Sequence, residues 1–118
     1  MPKILVVDDE AHIRKLYNDF LKREGYQVET AAGGDEALEV LAKSRFDLVI
    51  LDIELGDEAS GLDILKRIKA GYPDLAVILN TAYSIYQSDF SIWIADAYIM
   101  KSSDISQLKD KVQELVGT

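Results

Sequence analysis

Apolar residues arrive in two rhythms along this chain. Short unbroken runs, Lys3 to Val7 (KILVV), Asp47 to Asp52 (DLVILD) and Leu75 to Asn80 (LAVILN), have the make-up of strands buried on both faces. Between them, apolar positions recur at i, i+3, i+4, i+7 and i+8, the mark of a helix with one buried face. Ile13, Leu16, Tyr17, Phe20 and Leu21 form such a stripe in a helix predicted over 10–24, which Gly25 ends. Gln27 to Ala31 reads as a short strand whose main apolar residue is Val28. Gly33-Gly34 turns the chain into a helix over 35–44, with Asp35 and Glu36 suited to the positive helix start and Leu38 and Leu41 facing inward. Ser60 with Asp63 has the form of a capping box for a helix over 61–70, closed by Gly71 and Pro73. Ala97 to Met100 is a fifth strand, and Ser103-Asp104 open a last helix with Ile105, Leu108, Val112 and Leu115 as its stripe. Segment 82–96 (AYSIYQSDFSIWIAD) has no clean period and several weak helix formers, so a short or irregular helix is expected there.

Strands alternating with helices imply a parallel α/β sheet with helices on both faces and right-handed crossovers. The 118 residues fit one domain, 1–118. Cysteine is absent, which fits a reducing cytoplasm. No apolar run approaches the ~20 residues of a membrane span, and the start of the chain lacks the apolar core of a signal peptide. With a net charge of −8 and no basic stripe, direct nucleic-acid binding is not expected.

In such sheets the site lies beyond the carboxyl ends of the strands. The first strand runs into Asp8-Asp9, the third ends in Asp52, the fourth in Asn80-Thr81 and the fifth in Met100-Lys101. Adjacent carboxylates repel unless something positive sits between them, so Asp8-Asp9 reads as half of a cation site. All-oxygen ligands favour a hard ion, Mg²⁺ before Zn²⁺. A lysine and a hydroxyl on the same rim would answer an anion arriving with the metal. That set suits a phosphoryl group, with a carboxylate as acceptor. Singly, each acid is ordinarily a solvated loop residue or a helix cap, and Asp9 could cap the first helix; the specific signal is that all five groups land on one rim.

The stretches KILVVDDE, DLVILD, GLDILKRIK, ILNTAY and ADAYIMK resemble the receiver domain of two-component response regulators over essentially the whole chain. The resemblance implies a doubly wound, flavodoxin-like sheet of five parallel strands, order 2-1-3-4-5, with five helices. It implies that Asp52 accepts a phosphoryl group from the phosphohistidine of a histidine kinase or histidine phosphotransfer protein. The chain then catalyses only its own phosphorylation and dephosphorylation. Asp9, Asp52 and the backbone carbonyl of Glu54 would ligate Mg²⁺, with Asp8 acting through a metal-bound water. Lys101 would pair with the phosphoryl oxygens, Thr81 would move to hydrogen-bond them, and Tyr98 would turn inward as an aromatic switch. Glu54 and Tyr83 would tune hydrolysis. Gly56 and Ser102 stand where the family usually has prolines, so a trans bond is expected at 101–102, since a cis non-proline bond costs ~3 kcal/mol.

Two other functions are weighed. A Mg²⁺ phosphohydrolase working through an aspartyl phosphate wants D-x-D at its nucleophile strand, whereas Asp8 and Asp9 are adjacent and DIE at 52–54 offers only Glu54. A flavin module needs a Ser/Thr/Gly-rich phosphate loop where this chain has DDEA. His12, on the first helix turn, is expected to be merely exposed. The face for a partner protein or output domain is expected on segment 84–94, the fifth strand around Tyr98, and the helix through 104–115. Phe90, Ile92, Trp93 and Ile94 there offer apolar and aromatic anchors.

Overall fold

The computed structural model of the chain describes residues 1–53, 61–81, 94–101 and 105–117. Strands β1 (Lys3–Val7), β2 (Gln27–Ala31), β3 (Leu48–Leu51), β4 (Ala76–Thr81) and β5 (Ala97–Met100) alternate with helices α1 (Ala11–Arg23), α2 (Gly34–Lys43), α3 (Gly61–Gly71) and α4 (Ser106–Val116), β4 and β5 following one another in this series. The strands form one sheet in the order β2-β1-β3-β4-β5, with every neighbouring pair parallel. This is the expected class and order. The helix expected over 82–96 falls almost wholly outside the described residues, as do Ser60 of the capping box, Gly56, Tyr83, Trp93 and the residue that follows Lys101.

The sheet splits the core in two. One face carries Leu5, Val7, Val49, Leu51, Val77 and Leu79 against Ala37 and Leu41 of α2 and Ile64, Leu65 and Ile68 of α3. The other carries Ile4, Val6, Leu48, Ile50 and Ile78 against Tyr17 and Leu21 of α1 and Leu108 and Val112 of α4. Strand side chains alternate between faces, so a strand apolar at every position must be covered on both. α2 and α3 meet closely at Gly34, where any side chain would collide with Ile64.

β1, β2 and β5 have the expected bounds, and the other elements differ from the sequence reading by one to three residues. β3 spans Leu48–Leu51, with Asp47 and Asp52 as its flanks. Helix α4 begins at Ser106 with Ile105 as its N-cap, later than Ser103-Asp104 suggested; the Ile105 carbonyl accepts the first helical bond, from Lys109 N at 3.0 Å. Helix α1 ends as expected: Gly25 takes φ +96°, its N–H meets Lys22 O, and Tyr26 N reaches back to Leu21 O. Leu16 departs from expectation. It is 50 % exposed, because the buried line of α1 runs through Tyr17 and Leu21 and a step of about 100° carries Leu16 to the rim of that arc.

Candidate functional site

Backbone bonds continue past the strand ends and hold the site residues on the sheet. Asp8 N donates to Ala31 O (3.1 Å), Asp52 N to Val7 O (3.0 Å) and Lys101 N to Thr81 O (2.7 Å). β1 and β3 pair Val7 with Leu51, so Asp8 and Asp52 follow at the same level on neighbouring strands. Both carboxylates are buried, Asp8 2 % and Asp52 3 % exposed, and Thr81 is fully buried. Acids at that depth need a partner. Lys101 supplies it: its Nζ lies 2.7 Å from Asp8 Oδ2 and 2.9 Å from Asp52 Oδ2. Burial alone would lower the pKa of this ammonium, but hydrogen bonds to Asp8 and Asp52, and their charges, outweigh it and hold it above the usual lysine range.

Asp8 also organises the loop into α1. Its Oδ1 accepts the Glu10 N–H at 2.9 Å, and its backbone carbonyl accepts a bond from Arg14 Nη1 at 2.7 Å. Asp9 and Glu10 are exposed. With Asp8 they offer three carboxylate oxygens within 4.8 Å of one another. The acids thus form two groups sharing buried Asp8: Asp8-Asp52 closed by Lys101, and Asp8-Asp9-Glu10, whose last two members face solvent. His12 is exposed as expected, with Nε2 3.2 Å from Glu10 Oε2.

The structure therefore brings Asp8, Asp52 and Lys101 together and sets Asp9 at their edge; Thr81 is tied to Lys101 through the backbone, and Glu54 lies outside the described residues. Tyr98 is half-buried, pairs with Leu79, and shares with Leu79 and Thr81 the sheet face covered by α2 and α3. Desolvation pushes its phenol pKa up. Sequence reasoning missed Glu10 and Arg14. The third acid of DDE was the signal for Glu10; Arg14, one turn further along α1, had none beyond that spacing. It also left Asn80 without a role, although a polar residue in a core-facing position of β4 is itself a signal. Two grooves, of about 640 and 550 Å³, are lined by residues at the amino end of the sheet, such as Met1, Pro2 and Tyr26 for one and Phe46, Asp47 and Leu75 for the other. Neither includes any of the site acids.

Comparison with known proteins agrees with this geometry. The profile of the response regulator receiver domain matches residues 4–113. Sporulation initiation phosphotransferase F of Bacillus subtilis is 38 % identical over 115 residues, covering 95 % of this chain and 91 % of that protein. The alginate biosynthesis transcriptional regulatory protein AlgB of Pseudomonas aeruginosa is 35 % identical over 109 residues; the match covers 91 % of this chain but only 24 % of AlgB. Among solved structures, the response regulator TrrA of Thermotoga maritima in complex with Mg²⁺-BeF superposes with a TM-score of 0.94 at 47 % identity, covering 98 % of this chain and 100 % of that one. TrrA in complex with the histidine kinase ThkA superposes with a TM-score of 0.91, covering 98 % and 99 %. No helix among the described residues is long and apolar enough to cross a membrane.

Proposed function

Because the chain belongs to the response regulator receiver domain family, and so is a phosphoacceptor module of two-component signalling, we propose that Asp52 is the residue that takes the phosphoryl group. The observation that carries this reading is the Lys101 ammonium held between two buried aspartates, Asp8 and Asp52. A cation so placed pairs with carboxylates before transfer and is in reach of phosphoryl oxygens afterwards. Both Asp8 oxygens are engaged, Oδ2 by Lys101 and Oδ1 by the Glu10 N–H.

The donor set fits Mg²⁺: every candidate ligand is oxygen, and neither cysteine nor histidine stands among the site acids. Asp9, Asp52 and the Glu54 carbonyl would hold the ion, with Asp8 behind a water. Bound there, Mg²⁺ would neutralise carboxylate and phosphoryl charge. The chain's own residues do the rest. An Asp52 carboxylate oxygen attacks phosphorus. The O–P bond forms as the P–N bond of the donor phosphohistidine breaks, and the imidazole keeps the electron pair. Lys101 and the Thr81 hydroxyl then hold the new phosphoryl oxygens. Hydrolysis by water returns phosphate and the free carboxylate, so the chain turns over only its own phosphoryl group. Thr81 and Tyr98 lie on one sheet face, so a pull on Thr81 favours an inward Tyr98, a two-state element of the kind a switch requires.

The kinase complex of TrrA supports a histidine kinase, or a histidine phosphotransfer protein, as the donor to this chain. The length of AlgB beyond the match supports a partner or output domain as the recipient of the signal. We place that contact on the face of segment 84–94, β5 around Tyr98, and the 104–115 helix. Its described part includes Ile94 and Met100, large apolar side chains that are 43 % and 39 % exposed. The cysteine-free composition and the kinase partner support a cytoplasmic location for this single receiver domain, 1–118.

The test is chemical. With Mg²⁺ and acetyl phosphate, the protein should gain one phosphoryl group by intact mass, and Asp52→Asn should gain none. Equal labelling of the variant overturns the assignment.

A further inference from the structure

A buried polar pair lies beside the site. Along β4, Ala76 and Ile78 face the layer of α1 and α4, so the period of two places Asn80 on that face as well. That layer is otherwise built from aliphatic groups such as Ile50, Ile78 and Leu108, and a strand in this position ordinarily stays apolar. Asn80 is only 2 % exposed. It donates from Nδ2 to the hydroxyl of Tyr17 on α1 at 2.7 Å. Tyr17 itself is 6 % exposed.

Three observations tie this pair to the chemistry above it. The ladder pairs Leu51 with Leu79, so Asn80 is level with Asp52 on the adjacent strand and on the same face. Asn80 is also the residue immediately before Thr81, and its β5 partner, Ile99, lies two residues before Lys101. Burial raises the Tyr17 phenol pKa from its usual 10.0, and the charges of Lys101, Asp8 and Asp52 act on it as well. A neutral hydroxyl held in place by an amide hydrogen bond presents its dipole to a cluster of three charges in a low-dielectric setting.

We propose that Tyr17 and Asn80 form a positioning pair, which fixes the Lys101–Asp52 geometry from the α1 side and thereby sets how fast the aspartyl phosphate forms and hydrolyses. The pair contacts neither phosphorus nor metal; it acts through Lys101 and through the end of β4 that carries Thr81. The inference rests on Asp52 being the acceptor. It also makes α1 part of the site through its interior, not only through the acids that precede it.

The test separates stability from function. Tyr17→Phe alone leaves the Asn80 amide buried without its partner, so it should lower the melting temperature. The double variant Tyr17→Phe/Asn80→Val replaces both polar groups by apolar ones and should regain stability. If the pair positions the site, the double variant will be as stable as the parent yet take phosphate from acetyl phosphate about tenfold more slowly at saturating Mg²⁺. That is a barrier change of ~1.4 kcal/mol. A stable double variant with parental labelling rate and phosphoryl lifetime overturns the proposal. A second readout needs no variant. With tyrosine labelled at ¹³Cζ, the Tyr17 resonance should shift when Mg²⁺ and beryllofluoride are added to the parent protein, and an unmoved resonance also overturns it. Parental labelling is measured alongside: failure there defeats the Asp52 assignment, whereas success with an indifferent double variant defeats only the pair.

Discussion

Two lysine–aspartate pairs sit at opposite ends of the same sheet, and their surroundings make them different devices. At the amino end, Lys69 Nζ meets Asp96 Oδ2 at 2.9 Å, and every group in the contact also serves the backbone. Lys69 donates to Leu75 O, Asp96 Oδ2 accepts the Val77 N–H, and Asp96 N donates to Val77 O. One cation balances one anion, and the result is a closed staple joining α3 to the starts of β4 and β5. At the carboxyl end, Lys101 is shared by two buried aspartates, with exposed Asp9 and Glu10 beside them. Negative charge is in excess there by design of the rim, so a further cation is invited in. A functional site is distinguished here by unbalanced charge, and not by the presence of an ion pair.

That contrast can be broken by experiment. The largest effect is expected from Lys101→Met in Mg²⁺-free buffer. It leaves Asp8 and Asp52 buried together without their cation and should lower the unfolding free energy by ~3–5 kcal/mol in urea titration. Added Mg²⁺ should restore part of that loss by binding only the folded chain. Lys69→Met should lower stability by only ~1 kcal/mol, with no special response to Mg²⁺. Equal losses in the two variants would erase the distinction. Next in size, Asp9→Ala should weaken Mg²⁺ binding by about tenfold or more, followed by the ion's effect on melting temperature. In Mg²⁺-free buffer the same change should raise the melting temperature slightly, since one repelling carboxylate is gone; a lower value counts against the excess of charge.

The smallest effect is in alkali. Lys101 has its folded pKa raised above the usual 10.5, so its contribution to stability is complete below about pH 10.5 and is lost as pH climbs towards the folded value. Tyr17, raised from 10.0 by burial, gives the same sign from about pH 10 upward. The parent should therefore lose stability above that range, and Lys101→Met should lose less. A parallel decline in both proteins would assign the effect to other groups.

The fold was legible because its signals are local. Unbroken apolar runs marked β1, β3 and β4, and Gly25 and the paired acids of α2 marked helix ends. The order of strands came from resemblance, since nothing in a single strand says which neighbour it will choose. The rim residues Asp8, Asp52, Thr81 and Lys101 could be named because each sits at a strand end, where a parallel sheet aligns its carboxyl termini. Less visible was who shares Lys101. That two buried acids divide one ammonium, while Asp9 and Glu10 turn to solvent, depends on side-chain directions at adjacent positions. Leu16 shows the same limit on a helix: periodicity gives a stripe, but tertiary packing sets its width. Tyr17 and Asn80 were each readable as a core tyrosine and a strand-end amide, and their meeting, 63 residues apart in sequence, was not.

The staple at Lys69 and Asp96 has a mechanical side. It clamps the beginnings of β4 and β5, so the far ends of those strands behave as beams fixed at one support. Asp96 to Lys101 spans five rises of ~3.3 Å, a lever arm of about 16 Å. A displacement of ~1 Å at the tip then needs the strand to bend by only about 4° over its length, small enough for packed side chains to follow without leaving their rotamers. With its root held, β5 would answer a tug on Thr81 or Lys101 by bending, and as the last strand of the sheet it would carry that strain to the sheet's edge.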